Sequence, residues 1–267
     1  TNWWESTQFG NNQGANDCMT ELFGVKNIFS NPKPVELLRG LLQIGNVKNP
    51  DIVLDFFSGS ATTAHALMQL NEEDKKDRHF ILIQSTETVK CGSEAERQGY
   101  RTIDQIGIER IKRAAAKIRK EHPDTTADLG FRHYTLAEPS QHTLDELEKF
   151  DPNENSFFTS DLLTEFGKPT VLATWLNRDG YGLTAKPEEI DFAGYKGYYI
   201  GQHLYLIDKK LTNEAIEAIL NKFETDGNFN PKNVVLFGYS FLWTEREALQ
   251  TNLKRLKDKD VNFDIRY

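Results

Sequence analysis

Cysteine is scarce in this 267-residue chain, which holds Cys18 and Cys91 and no other thiol. The two lie far apart and in no ligand spacing, so neither a disulfide framework nor a cysteine zinc site organises the fold. Free thiols of a reducing compartment are expected. The six histidines are scattered and make no zinc pattern. No apolar run approaches the length of a membrane span, and no stretch reads as a signal peptide. Basic charge is not in excess either. Lys and Arg number 32 against 40 Asp and Glu, a net charge of -8, which argues against a chain-wide surface for nucleic-acid phosphates. Residues 1–130 carry 16 basic and 18 acidic groups and residues 131–267 carry 16 and 22, so most of the acidity lies in the second half. The composition, 38% hydrophobic and 27% charged, is that of a globular chain of one large or two modest domains. The chain opens on Thr1 without Met and reads as part of a longer cytoplasmic protein. It shows no repeat and no low-complexity tract.

The stretch around which the chain is organised is Asp51 to His65. Ile52-Val53-Leu54 is a short β-branched run expected as a strand buried on both faces. Asp55 closes it, and Ser58-Gly59-Ser60 make a turn small enough for close backbone approach to a ligand. From Thr62 the pattern turns helical, with Ala64, Leu67 and Met68 on one side. Strand, tight turn and helix form the opening of a nucleotide-binding βαβ unit, and the helix N-terminus suits a carboxylate or phosphate. The Gly-Lys-Ser/Thr of a P-loop and the full dinucleotide fingerprint are both missing. A cofactor with little or no phosphate is therefore expected.

Residues 1–28, rich in Asn, Gly and Trp, read as loop, with Glu21-Leu22-Phe23-Gly24 ending a short helical turn. Phe29-Ser30-Asn31-Pro32-Lys33-Pro34 is extended, because each proline drives its predecessor from the α region. Pro34 opens a helix to Ile44 with Leu37, Leu38, Leu41 and Leu42 on one face. His79 to Gln84 predicts a second buried strand parallel to the first, and residues 85–100 a polar loop. Ile103 to Arg119 predicts a helix with Ile103, Ile106, Ile111, Ala114 and Ile118 inward. Its outer face is expected to carry Arg110, Lys112, Arg113, Lys117, Arg119 and Lys120, as a solvated face or a DNA or partner contact. Breaks at His122-Pro123-Asp124, Glu138-Pro139-Ser140 and Asp151-Pro152-Asn153 mark a linker over residues 126–157. A second α/β unit follows over residues 158–267. It comprises a helix from about Pro169, a hairpin turning at Gly201-Gln202, a helix capped by Thr212, and a strand from Asn233 to Phe237. A helix with a Thr244/Glu247 capping box and a strand from Val261 to Ile265 close it.

Phe29-Ser30-Asn31-Pro32-Lys33-Pro34 followed by Asp55-Phe56-Phe57-Ser58-Gly59-Ser60-Ala61-Thr62-Thr63, each with its helix, resembles the C-terminal part of β-group DNA amino-methyltransferases. The likeness is strongest to the modification (Mod) subunits of type III restriction-modification systems. Gly99-Tyr100-Arg101-Thr102-Ile103 and Glu109-Arg110-Ile111-Lys112-Arg113-Ala114 resemble the same subunits. The resemblance is firm over about residues 20–120 and diffuse beyond. It implies an α/β fold: a partial Rossmann-like methyltransferase core over residues 29–125, after a tail (1–28) of a recognition and catalytic region, and then a smaller α/β C-terminal domain. It also implies an S-adenosylmethionine pocket. Phe29 would lie against the adenine, and Asp55 near the ammonium and sulfonium. Phe56, Phe57, Ser58 and Gly59 would form the turn, with Ser60, Thr62 and Thr63 as carboxylate donors. Asn31, Lys33 and Pro34 complete the first segment, Lys33 as a carboxylate partner. Ala61 replaces the family's usual glycine. Gln84 stands where related enzymes place a ribose-binding acid, and Glu87 is the alternative for that role.

Methyl transfer to a base amine also needs a flipped base held by acceptors. In this family Asp-Pro-Pro-Tyr supplies them, ahead of the Pro-Lys-Pro segment, and the sequence contains no such tetrapeptide. Asp151-Pro152-Asn153-Glu154 reads as a turn. The resemblance therefore implies the cofactor-binding part of an adenine-N6 methyltransferase, inactive alone, with double-stranded DNA, a second Mod subunit and a restriction (Res) subunit as partners. A pure assembly module, a cytosine-N4 enzyme, and a methyltransferase of another substrate are the alternatives.

Overall fold

A computed structural model of the chain describes residues 4–136, 138–149, 162–256 and 261–267; the turn expected at Asp151-Pro152-Asn153-Glu154 lies outside them. The chain divides into two compact units, Thr1–Phe131 and Arg132–Tyr267.

The segment expected as loop before Phe29 is helical: α1 spans Ser6–Phe9 and α2 spans Asn12–Phe23. The Asn11 side chain accepts the Gly14 N–H at the start of α2, and Gly24 closes it in the left-handed region with its N–H on the Thr20 carbonyl. Asn and Gly are therefore punctuation at the helix ends, the positions they favour. Ala15, Met19 and Phe23, four residues apart, are the buried stripe. Met19 and Phe23 pack with Ile28, Ala95 and Ile106.

Helix α3 (Val35–Ile44) follows Pro34, which occupies the cap position rather than the first helical one. Its inward residues are Val35, Gly40 and Leu42. A Cβ on Gly40 would stand 2.6 Å from the Phe9 ring, so a glycine lets the two helices meet. Leu41, expected inward, is 48% exposed, because the buried stripe runs through Val35, Leu38 and Leu42.

Strand β1 (Ile52–Asp55) pairs in parallel with β2 (His79–Leu82), Ile52 opposite His79 and Asp55 opposite Leu82. Helix α4 (Thr62–Asp74) connects them. Val53, Phe80 and Leu82 face α4 and the long helix α6 (Ile103–Glu121). The other face is bare, with Ile52 61%, Leu54 56%, Ile81 45% and Ile83 53% exposed. This corrects the expectation of strands buried on both faces. An apolar run selects the strand, but it does not say whether the unit supplies both covering layers. Replacing Ile52 and Ile81 together by lysine is expected to change stability by no more than about 0.5 kcal/mol and to reduce self-association, read by chemical denaturation and light scattering. A loss of about 2 kcal/mol, the scale of a buried core truncation, would mean that the face is covered in solution.

Residues 85–100, expected as loop, include the short helix α5 (Glu94–Arg97) and a bridge between Thr88 and Thr102. The segment expected as linker holds Leu129, buried among α4 and α6 residues of the first unit, and helix α7 (Gln141–Lys149) of the second.

The second unit contains α8 (Leu162–Phe166), α9 (Lys168–Arg178) and a five-stranded sheet in chain order. Strands β3 (Glu188–Phe192), β4 (Tyr195–Ile200) and β5 (His203–Leu206) run antiparallel. Strands β6 (Asn233–Phe237) and β7 (Asn262–Arg266) continue the sheet in parallel. Both faces are covered. Leu204, Leu206, Val234 and Leu236 pack under α10 (Asn213–Thr225) and α11 (Trp243–Leu253). Tyr205, Ile207, Val235 and Phe237 pack under α8 and α9. The Thr212 hydroxyl caps α10 on the Ala215 N–H, as expected. The box expected at Thr244 and Glu247 is displaced: α11 begins after Leu242, whose N–H donates to the Glu245 carboxylate at 2.7 Å.

Candidate functional site

The turn between β1 and α4 is held from three directions. From within, Asp55 Oδ1 accepts the Phe57 N–H at 3.2 Å and Oδ2 accepts the Thr63 hydroxyl at 2.6 Å. From the segment just after β2, the Gln84 side-chain oxygen accepts the Gly59 N–H at 2.7 Å. Gln84 therefore clamps the glycine turn itself, and the acceptor expected to face a ribose is already engaged there. From the preceding segment comes Phe29. Gly59 has a φ of +51°, and a Cβ there would sit 3.4 Å from the Phe29 ring. That backbone and that packing both favour glycine.

Behind the turn lies α6, where Gly107 and Arg110 make the contact. A Cβ on Gly107 would be 3.0 Å from the Gly59 carbonyl oxygen and 3.5 Å from the Ala61 methyl. Arg110, expected on the solvated face, is 0% exposed. Its Nη1 donates to Ser60 Oγ at 2.9 Å and Thr62 Oγ1 at 2.6 Å. The signal was present: Ile106, Arg110, Ala114 and Ile118 fall on one stripe at i+4 spacing, and side-chain charge disguised it. Burial lowers the Arg110 pKa to about 10, which leaves it charged at neutral pH. His65, on α4, is driven down to about 3 by burial, then by Arg110 and Lys117, and is neutral.

Ser60, Thr62 and Thr63 are buried, whereas Phe56 is 61% and Phe57 84% exposed. Ser58 is half-buried. A cleft of about 380 Å³ between α3 and β1 opens beside Asp55, Phe56, Phe57 and Thr63. Asn31 and Lys33 are exposed between Phe29 and α3, and Pro34 is buried. The Glu87 side chain is exposed; its carbonyl accepts the Ile103 N–H at 2.9 Å, tying the loop to the start of α6. The structure thus gathers Phe29, Asp55, Ser58 to Ser60, Thr62, Thr63 and Gln84 around one turn. Among the described residues no hydrogen bond joins Asn31, Lys33 or the Glu87 carboxylate to it.

Ala61 caps α4 at φ 60°, ψ 40° and is 1% exposed. The left-handed region costs a non-glycine residue about 1–2 kcal/mol, while a buried methyl returns about 0.8 kcal/mol and glycine loosens the unfolded chain by about 0.5–1 kcal/mol. These terms nearly cancel. Ala61→Gly is expected to shift the unfolding free energy by less than about 1 kcal/mol, measured by urea denaturation.

A small-residue turn clamped at a helix N-terminus, with an aromatic ring on one side and a buried cation behind, can hold an anionic group and a flat ring together. Residues 1–120 match the DNA methylase family. Residues 166–262 match the Type III R-M EcoP15I C-terminal domain. The chain is 38% identical, over its whole length, to the type III restriction-modification enzyme StyLTI Mod subunit of Salmonella typhimurium. It is 35% identical to the EcoPI Mod subunit of Escherichia phage P1 and 37% identical to the EcoP15I Mod subunit of Escherichia coli, over 92% and 94% of its length. The chain is a homologue of the type III Mod subunits, and it spans 44%, 38% and 38% of the lengths of these three.

Proposed function

We propose that the first unit is the methyl-donor half of a Rossmann-like DNA methyltransferase domain, and that its cofactor is S-adenosylmethionine. The observation that carries this reading is the clamped Ser58–Thr63 turn with Phe29 against Gly59. The bound group supplies an electrophilic methyl carbon. Phe29 offers an aromatic face for the adenine, with Asn31, Lys33 and Pro34 alongside. The α4 N-terminus with Ser60 and Thr62 offers donors for the carboxylate; Thr63, expected in the same role, instead spends its one hydroxyl hydrogen on Asp55. Asp55 sets negative charge near the ammonium and sulfonium, and the exposed Phe56 and Phe57 line the approach. Glu87 takes the ribose role, since the Gln84 acceptor is spent on Gly59.

The whole protein is proposed to be a cytoplasmic adenine-N6 DNA methyltransferase subunit working with double-stranded DNA, a second copy and a restriction subunit. The bare apolar sheet face is then the seat of the remaining methyltransferase segments, which bring the Asp-Pro-Pro-Tyr acceptors this sequence lacks. The second unit, with a core of its own on both sheet faces, is the assembly part. Calorimetric titration with S-adenosylmethionine tests the pocket: saturable heat is expected, and none at millimolar cofactor would sink the reading. Methylation of DNA by this chain alone is not expected.

A further inference from the structure

Arg110 is a buried cation without a carboxylate. Among the described residues it forms no ion pair, and its Nε and Nη2 have no hydrogen-bond partner. The groups around it offer no counter-charge. The Cys18 thiol has its pKa pushed up by burial, and His65 is neutral. A buried charge left without a counter-charge is strongly unfavourable, so a guanidinium held only by the neutral Ser60 and Thr62 hydroxyls, with the Cys18 thiol beside it, calls for an anion from outside the unit.

What Arg110 does bond decides where that anion would sit. A hydroxyl that accepts from an arginine N–H must aim its own hydrogen elsewhere. Ser60 and Thr62, each accepting from Nη1, are thereby set as donors. They flank Ala61, the cap of the thirteen-residue helix α4, whose leading N–H groups have no intrahelical acceptor. Its cap, Ala61, has no side-chain acceptor to offer them. Donor hydroxyls, open N–H groups and the helix dipole therefore converge, with the positive charge directly behind.

We propose that Arg110 is a positioning residue for the methyl donor: its guanidinium fixes the Ser60 and Thr62 hydroxyls as donors and supplies the charge that balances the ligand's carboxylate at the α4 N-terminus. This rests on the reading of the turn as an S-adenosylmethionine site. It assigns the carboxylate's counter-charge to α6, not to the exposed Lys33.

The test is calorimetry on the full chain with two probes. One is S-adenosylmethionine; the other is 5′-methylthioadenosine, which keeps the adenosine and lacks the amino-acid carboxylate. Arg110→Met is expected to weaken the first about 30-fold, the worth of a charged hydrogen bond, and to leave the second within about threefold, with Arg110→Lys, which keeps a cation but not the planar fork, recovering only part of the loss. The paired change Ser60→Ala with Thr62→Val keeps the cation and is expected to show the same selective loss; it decides the matter if Arg110→Met does not fold. Equal weakening of both probes, or of neither, would overturn the proposal. A wild-type chain that binds both probes equally well would overturn it while leaving the adenosine pocket intact, whereas a wild-type chain that binds neither would bring down the reading of the site and this proposal together.

Discussion

Replacing Gly107 by valine is expected to unseat the cofactor turn and to lower the stability of the first unit by about 3 kcal/mol, the upper range for overpacking a tight core. A Cβ at this position already comes within 3.0 Å of the Gly59 carbonyl oxygen, and the obstacle is backbone that cannot rotate away. The two further methyls of valine would add to the pressure, with the Ala61 methyl at 3.5 Å on the other side. Either α6 shifts outward, which pulls Arg110 from Ser60 and Thr62, or the turn moves, which breaks the Gln84 clamp on Gly59. Both routes damage the same feature, so affinity for the methyl donor should fall at least tenfold along with stability. Gly227→Ala is the control, since nothing stands within 4 Å of a Cβ there. Thermal denaturation and calorimetry of the two variants check the prediction; a Gly107→Val protein with unchanged cofactor affinity would show that α6 does not support the turn.

The parts of this site that could be read from the sequence are local. The turn from Asp55 to Thr63, its flanking strand and helix, and the partner segment from Phe29 follow from short-range chemistry: a β-branched run, small residues, and prolines. What could not be read depends on what packs against what. Arg110 lies on the inward stripe of α6 by spacing alone, yet charge argues for solvent, and only the Ser60 and Thr62 hydroxyls facing it show why burial is tolerated. The bare face of β1 and β2 is the converse case, apolar residues with no covering layer in their own unit. Helix α2 was hidden by polar residues on its outer face, though Asn11 and Gly24 mark its ends. Strand β3 is not legible in the sequence because Glu188, Glu189 and Asp191 interrupt its apolar positions, Ile190 and Phe192, which are nonetheless the buried ones. It is the edge of the sheet, where charged outward residues are common.

The largest effect in the second unit is expected from Asp179→Ala, a loss of about 3–5 kcal/mol, the cost of leaving a buried charge without its partner. Asp179 ends α9 and reaches two strands at once. Arg266 of β7 donates to it through both Nη atoms, at 2.9 and 3.0 Å, and the Tyr205 hydroxyl of β5 donates at 2.5 Å. The carboxylate and the guanidinium are each only 10% exposed. Arg266 retains Asp264 at 2.7 Å and the Trp175 ring, so the loss falls toward the lower end if that pair compensates. Burial works against ionisation of Asp179, but the hydrogen bonds from Arg266 and Tyr205 outweigh it and hold its pKa below the usual carboxylate range. A lowered folded pKa fixes the sign of the pH dependence. The stabilisation is complete above the unfolded-chain pKa of about 4 and is lost as pH falls through the lower folded value. Urea midpoints measured from pH 7 down to pH 2 should therefore decline in the parent chain below about pH 4. The part of that decline due to Asp179 should vanish in Asp179→Ala, whose stability is lower throughout. Equal acid sensitivity in the two proteins would show that Asp179 is not what ties α9 to the sheet.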